Sequence, residues 1–258
     1  MTDAGGAPHV GLAAGRGVAV IIPTYNEREN LEGLIEAVLH ALPEASLLVV
    51  DDNSPDGTGK LADTMAAREP RVHVLHRAGK EGLGVAYRDG FRWALARSET
   101  KAVAQMDADF SHDPNDLPRL LAPLMTGSDL VLGTRYMKGG GTIGWPLRRK
   151  LISRAGTTFA RVMLLMPYRD LTGGFKAWRR ELLEGIRLRE ANASGYGFQI
   201  ETTWWAHRKR AVVTQIPIVF RERVAGSSKM SGGIVGEALG LVLRLRLEAI
   251  RDAFRRTS

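Results

Sequence analysis

Two carboxylates stand two residues apart in Met106-Asp107-Ala108-Asp109-Phe110-Ser111-His112. They follow a short apolar run, Ala102-Val103-Ala104, that reads as a buried strand. In an extended chain, residues i and i+2 face the same way. Asp107 and Asp109 can therefore address one point beyond the carboxyl end of that strand. Open α/β sheets bind their ligands at such an edge. Paired carboxylates there suit Mg²⁺ or Mn²⁺, hard cations that take oxygen donors and share them with substrate phosphates. An Asp-capped turn before Pro114 is the plain alternative, so the pair needs support from the rest of the chain.

That support comes from the elements that must position it. Val18 to Ile22 is a continuous apolar run closed by Pro23, and Ser46 to Val50 is a second. Val72 to Leu75 and Leu130 to Gly133 are two more. Helical patterns alternate with them: one carrying Leu31, Leu34, Ile35 and Val38, one over 59–68, one opening at Lys80 to Gly84, and one over 115–124. Strand–helix alternation of this kind predicts a parallel sheet with right-handed crossovers. Its ligand edge would gather Glu27, Asp51 with Asp52, and Asp107 with Asp109. In a basic protein this concentration of acid suits a metal-bridged phosphate and sugar hydroxyls, which donate to carboxylates.

Composition bounds the answer. The 258 residues carry 44% hydrophobic side chains, enough for a large core. There is no cysteine, which excludes disulfides, thiolate metal sites and cysteine nucleophiles. The formal charge of +8 favours anionic partners. Residues 1–17 read as a flexible tail without a signal-peptide core. No apolar run reaches the roughly 20 residues a membrane span needs. The longest candidate, Ile234 to Leu243, contains Glu237. The expected location is cytoplasmic, peripheral on the cytoplasmic face of the membrane.

The second half is more basic. Arg135 to Arg154 holds six basic residues and no acidic one, with glycines at 139–141 that read as a hinge. Leu147 to Leu165 reads as a basic amphipathic helix, Asp170 to Lys176 as a turn, and a helix with Trp204 and Trp205 begins at Gly197. Val212 to Phe220 reads as a last strand, at an edge because of Pro217. In the final helix, Glu237, Arg244, Glu248, Arg251 and Arg255 fall on one stripe, with mostly apolar residues elsewhere. Such a helix either packs on the domain or lies on a bilayer.

In order, Val-Ile-Ile-Pro-Thr-Tyr-Asn-Glu, Val-Val-Asp-Asp-Asn-Ser-Pro-Asp-Gly-Thr, Met-Asp-Ala-Asp-Phe-Ser-His, Leu-Gly-Thr-Arg-Tyr and Arg-Val-Ala-Gly-Ser-Ser-Lys resemble the motifs of glycosyltransferase family 2. More narrowly they look like its dolichol- and polyprenol-phosphate mannose synthase branch, of actinobacterial type. The resemblance spans about residues 18 to 232. It implies an α/β GT-A fold, a mostly parallel Rossmann-like sheet flanked by helices, over residues 18–232, with a C-terminal amphipathic helix over 233–258.

It also implies a reaction: inverting transfer of mannose from GDP-mannose to a polyprenol phosphate, giving a β-mannosyl phosphate and requiring Mg²⁺ or Mn²⁺. Pro23, Tyr25, Glu27, Val50 and Asp52 would hold the guanosine. Asp107, Ala108 and Asp109 would line the diphosphate, with Asp109 and Ser111 on the metal side. Arg135, Arg223 and Lys229 would neutralise phosphates, while Arg149 and Ser153 match acceptor-phosphate contacts. The partners implied are the nucleotide sugar, the lipid phosphate and a membrane surface, with room for a membrane-anchoring partner protein.

Three rivals stand beside it. One is transfer to another acceptor or from UDP-glucose. Processive synthases of that kind usually show Gln-x-x-Arg-Trp and membrane spans, and neither is present. A nucleotide-cofactor oxidoreductase fails because Gly79, Gly82 and Gly84 have the wrong order and do not follow the first strand. A nucleic-acid binder would present a basic ligand edge, whereas this one is acidic.

Overall fold

The computed structural model describes residues 10–186, 196–222 and 232–257. A central sheet runs in the order β3-β2-β1-β4-β7-β5-β8. Its strands are β1 (Val18–Thr24), β2 (Ser46–Asp51), β3 (Val72–His76), β4 (Ala102–Gln105), β5 (Leu130–Thr134), β7 (Lys176–Arg179) and β8 (Val213–Pro217). All neighbours are parallel except β7, which is antiparallel to both β4 and β5. A separate parallel pair joins β6 (Gly141–Ile143) to β9 (Val219–Arg221).

The central strands β1 and β2 are buried on both faces because they are apolar at nearly every position, not at alternate ones. Ala19 and Ile21 of β1 pack into one layer, while Val18, Val20 and Ile22 pack into the other. The second layer is completed by α1 (Arg28–Ala41), α2 (Thr58–Arg68) and α4 (Leu117–Met125). The first is completed by α3 (Leu83–Leu95), α5 (Leu147–Leu164), α6 (Arg180–Gly185), α7 (Tyr196–Arg208) and α8 (Gly232–Thr257). Leu241, Val242 and Leu245 of α8 are sealed against this layer. Five other residues of the same helix, Leu239, Leu243, Leu247, Ile250 and Phe254, are exposed. Their spacing puts them on one stripe. The helix therefore packs on the domain and also presents an apolar face outward.

Four expectations need correction. Pro23 lies inside β1, opposite Val50, rather than ending the strand. The ladder permits this because β4 pairs only as far as Ile21, so no hydrogen bond is asked of Pro23 on that side. The end of the supposed tail is packed: Val10–Ala14 is a 3₁₀ turn, Leu12 is buried, and the Ala14 carbonyl accepts from the Glu44 amide. Gly139 to Gly141 is not an open hinge. A Cβ on Gly140 would come within 2.6 Å of the Thr134 carbonyl oxygen, and Gly141 begins β6. The expected turn from Asp170 ends in the unforeseen strand β7. That strand starts beside the end of β4, with Lys176 opposite Gln105. Its antiparallel direction brings the preceding loop, Asp170 to Phe175, to the ligand edge of the sheet.

Candidate active site

The acidic edge forms where β1, β2 and β4 end together, but its carboxylates have different tasks. Asp51 is spent on the turn: it accepts from Thr24 Oγ1 at 3.1 Å, from Ser54 Oγ at 2.5 Å and from the Ser54 amide at 3.1 Å. Asp52 pairs with the guanidinium of Arg77, which also reaches Glu81 and Asp89. Burial raises the Asp52 carboxyl above its ordinary range, and the attraction of Arg77 does not fully cancel it. Glu27 accepts from the Asn30 side-chain amide, Nδ2 to Oε2, at 3.0 Å at the start of α1. Tyr25 is half-buried beneath the Lys80 ammonium, 4.2 Å from the ring centre. Val50 is fully buried in the core, so only its backbone could touch a nucleotide.

Beyond β4, Asp107 and Asp109 diverge in exposure. The Asp107 side chain is 31% exposed and receives the Tyr87 hydroxyl at 3.3 Å. Burial lifts the Tyr87 phenol well above its usual pKa, and Asp107 adds to the effect, so it stays a donor. Asp109 is buried, and its Oδ1 accepts from both the amide of Ser111 at 3.1 Å and its hydroxyl at 2.6 Å. Ser111 was expected on the metal side. It is fully buried and turned onto Asp109, which it holds in place. Ala108 between them is buried.

His112 is sealed between Phe175 and Phe220, its Nδ1 accepting from the Asp107 amide at 3.3 Å. Burial lowers its pKa, so the imidazole is neutral and structural.

The basic side of the site centres on Arg135, at the end of β5. Its Nε and Nη2 donate to the two oxygens of Asp170 at 2.7 and 2.8 Å, and Nη2 also reaches Thr172 Oγ1 at 2.9 Å. Burial alone would raise Asp170, but the Arg135 charge and hydrogen bonds overcome it and hold the carboxyl below its ordinary value. A cleft beside this pair is lined by Arg135, Tyr136, Lys150 and Arg154, with Leu147 and Leu151 also on its wall. Both leucines are exposed. On the same helix, Arg149 lies 4.0 Å over the Trp145 ring and donates to Glu222 at 2.6 Å. Ser153 accepts from the Tyr136 hydroxyl at 2.7 Å. Arg223 and Lys229 lie outside the described residues.

The donors fit a hard divalent cation. Among the described residues no three His, Asp or Glu side chains converge as a complete cage. One or two carboxylates completed by substrate phosphates is the usual arrangement for Mg²⁺. Asp107 and Asp109 are the carboxylates at the right edge.

A mostly parallel sheet with one reversed strand and an Asp-x-Asp turn after β4 defines a glycosyltransferase of GT-A architecture. The chain belongs to glycosyl transferase family 2, whose profile matches residues 19–187. Over 238 residues it is 49% identical to the undecaprenyl-phosphate mannosyltransferase of Micrococcus luteus, covering 92% of this chain and 97% of that one. It is 48% identical to the polyprenol monophosphomannose synthase of Mycolicibacterium smegmatis, covering 92% and 91%. Among solved structures, it resembles Mycobacterium tuberculosis glucosyl-3-phosphoglycerate synthase in complex with Mn²⁺, UDP-glucose and phosphoglyceric acid. The TM-score is 0.69 at 23% identity, over 91% of this chain and 81% of that one. The same enzyme with Mn²⁺, UDP and phosphoglyceric acid gives 0.67 at 22%, over 91% and 80%. At that identity the likeness shows a shared fold.

Two residues near Asp107 gave no sign of it in the sequence. Tyr87 looked like an ordinary apolar helix position, and Gln199 like one polar residue at a helix start. Neither carries a local signal: Tyr87 meets Asp107 only because α3 packs there, and Gln199 sits on α7, far from both in sequence.

Proposed function

We propose that this chain transfers mannose from GDP-mannose to a polyprenyl phosphate, with inversion, giving a polyprenyl β-mannosyl phosphate. The observation that carries the reading is the cleft beside Arg135. Cations from Lys150 and Arg154 line it together with Arg135 and the exposed Leu147 and Leu151. Cations with apolar neighbours suit a phosphate on a lipid chain. The names of the relatives agree with that acceptor.

In this reading Pro23, Tyr25, Glu27 and Asp52 border the base and ribose, and Val50 contributes its backbone. Asp107 and Asp109 would hold Mg²⁺ or Mn²⁺, which supplies positive charge to the departing diphosphate. Ser111 keeps Asp109 aimed. Arg135, fixed by Asp170, presents an oriented guanidinium to phosphate, and Arg223 and Lys229 are proposed to add charge. Arg149 and Ser153 receive the acceptor phosphate. That phosphate is already an anion at neutral pH, so the nucleophile needs no strong general base. The acceptor is membrane-borne, so the reading puts the chain peripherally on the cytoplasmic face, with the exposed stripe of α8 toward lipid. No helix among the described residues is long and apolar enough to cross a membrane.

The test is an incubation with labelled GDP-mannose or UDP-glucose, divalent metal and a membrane lipid extract. Label from GDP-mannose in a mild-acid-labile lipid fraction is the expected result. Label only from UDP-glucose would replace the donor. Label only in water-soluble product would replace the acceptor.

A further inference from the structure

We infer that the side-chain amide of Gln199 is a donor-sugar contact, sharing one sugar hydroxyl with Asp107. Gln199 is 1% exposed, and neither its Nε2 nor its Oε1 has a hydrogen-bond partner. A buried amide left unpaired is costly, so such groups call for an explanation. Poor placement does not supply one. The backbone carbonyl of Gln199 accepts from Lys176 Nζ at 2.7 Å and from Thr203 Oγ1 at 2.8 Å. Its neighbour Phe198 stacks on Tyr87, ring centres 6.0 Å apart, and Tyr87 donates to Asp107. The residue is fixed from behind while its amide is left without a partner.

Gly174 shows where the amide faces. A Cβ built on Gly174 would lie 3.5 Å from Asp107 Oδ1, 3.7 Å from Asp107 Oδ2 and 3.5 Å from Gln199 Nε2. One small space is therefore bordered by a carboxylate and an amide nitrogen, and it is open because residue 174 has no side chain. An ionised carboxylate only accepts, and an amide nitrogen only donates. A single group that satisfies both must donate to Asp107 and accept from Gln199, which a hydroxyl does. Given the proposed function, the hydroxyl at hand beside the diphosphate edge belongs to the donor sugar.

The inference rests on that reading, and the experiment separates the two. Calorimetry with Mn²⁺ compares nucleotide sugar with bare nucleotide for wild type, Gln199→Leu and Gly174→Ala. A methyl at 174 meets its neighbours at ordinary contact distance, so it fills the space without forcing the backbone. Both variants should bind GDP as wild type does and bind GDP-mannose about tenfold more weakly. One deoxy analogue of GDP-mannose should bind wild type about tenfold more weakly and lose nothing further on Gln199→Leu. Equal GDP-mannose affinity in wild type and Gln199→Leu would overturn the contact, as would an equal loss for GDP. If wild type takes UDP-glucose instead, the mannose reading fails, and the same comparison against UDP still decides the role of Gln199.

Discussion

Asp170 grips the Arg135 guanidinium with two near-parallel hydrogen bonds, Nε to Oδ2 at 2.7 Å and Nη2 to Oδ1 at 2.8 Å, and both side chains are sealed from water. This pair ties the loop before β7 to the end of β5, beside the basic cleft that Arg135 lines. Breaking a buried pair leaves an uncompensated charge, which costs about 3–5 kcal/mol. Asp170→Asn should therefore lower the melting temperature by roughly 10 °C in calorimetry. Transfer should fall as well, because Arg135 loses its fixed orientation. A variant that melts with wild type would mean that the pair is not maintained in solution.

Asp109 and Ser111 should separate cleanly. If Asp109 holds the cation, Asp109→Ala loses transfer by about 10³-fold while circular dichroism shows an intact fold. Ser111→Ala removes only the hydrogen bond that aims Asp109. Loss of such a supporting contact typically costs about 10–100-fold. Rate measurements on the two variants under saturating Mn²⁺ check this. Equal losses would return Ser111 to direct ligation.

Much of this layout was legible in the chain. Continuous apolar runs at β1, β2 and β4 cannot be half-solvated strands, so they announced a doubly covered parallel sheet and placed Asp107 and Asp109 at its edge. β7 was not legible. It has four residues, two of them charged, and Lys176 is buried where a lysine normally signals surface. Its fate is decided by the Gln199 carbonyl and the Thr203 hydroxyl, which are distant in sequence. The distinct jobs of Asp51 and Asp52 were equally hidden, since Ser54 and Arg77 select between them only once folded.

Metal dependence has its own signature. Asp107 and Asp109 offer two carboxylates beyond β4, and among the described residues there is no complete cage. Mn²⁺ should therefore bind weakly to the protein alone and much more tightly once GDP contributes phosphate oxygens. Manganese paramagnetic resonance with and without nucleotide measures this directly. Chelation should abolish transfer, and added Mg²⁺ or Mn²⁺ should restore it. Tight Mn²⁺ binding without nucleotide, or full activity in chelator, would contradict the site.

Lys176 gives a prediction with a definite sign. Burial lowers its pKa from the ordinary 10.5 to about 7, with Asp170 pulling weakly the other way. Between those two values the unfolded chain holds the proton and the folded chain has released it. Stability therefore rises with pH across that window, and the cost of burying the charge is fully present below about 7. Lys176→Met removes the titration. Wild type should gain in melting temperature relative to the variant as pH is raised from about 7 to about 9. Parallel profiles across that range would show that the amine titrates normally.

If the acceptor is membrane-borne, the exposed stripe on α8 is the surface proposed to meet the bilayer. Deleting the helix is the wrong test, because Leu241, Val242 and Leu245 are part of the core and their loss would unfold the first layer. Leu239, Leu243 and Leu247 can be changed without touching that packing, since they point away from it. Each leucine moved from water to lipid contributes about 1.5–3 kcal/mol when fully buried, less at an interface. Converting all three to Gln should cut co-sedimentation with anionic vesicles by at least about tenfold. The melting temperature should stay within a few degrees. If the triple variant sediments with vesicles as wild type does, membrane attachment belongs to the basic, leucine-edged surface of α5 instead, and Leu147 and Leu151 become the residues to change.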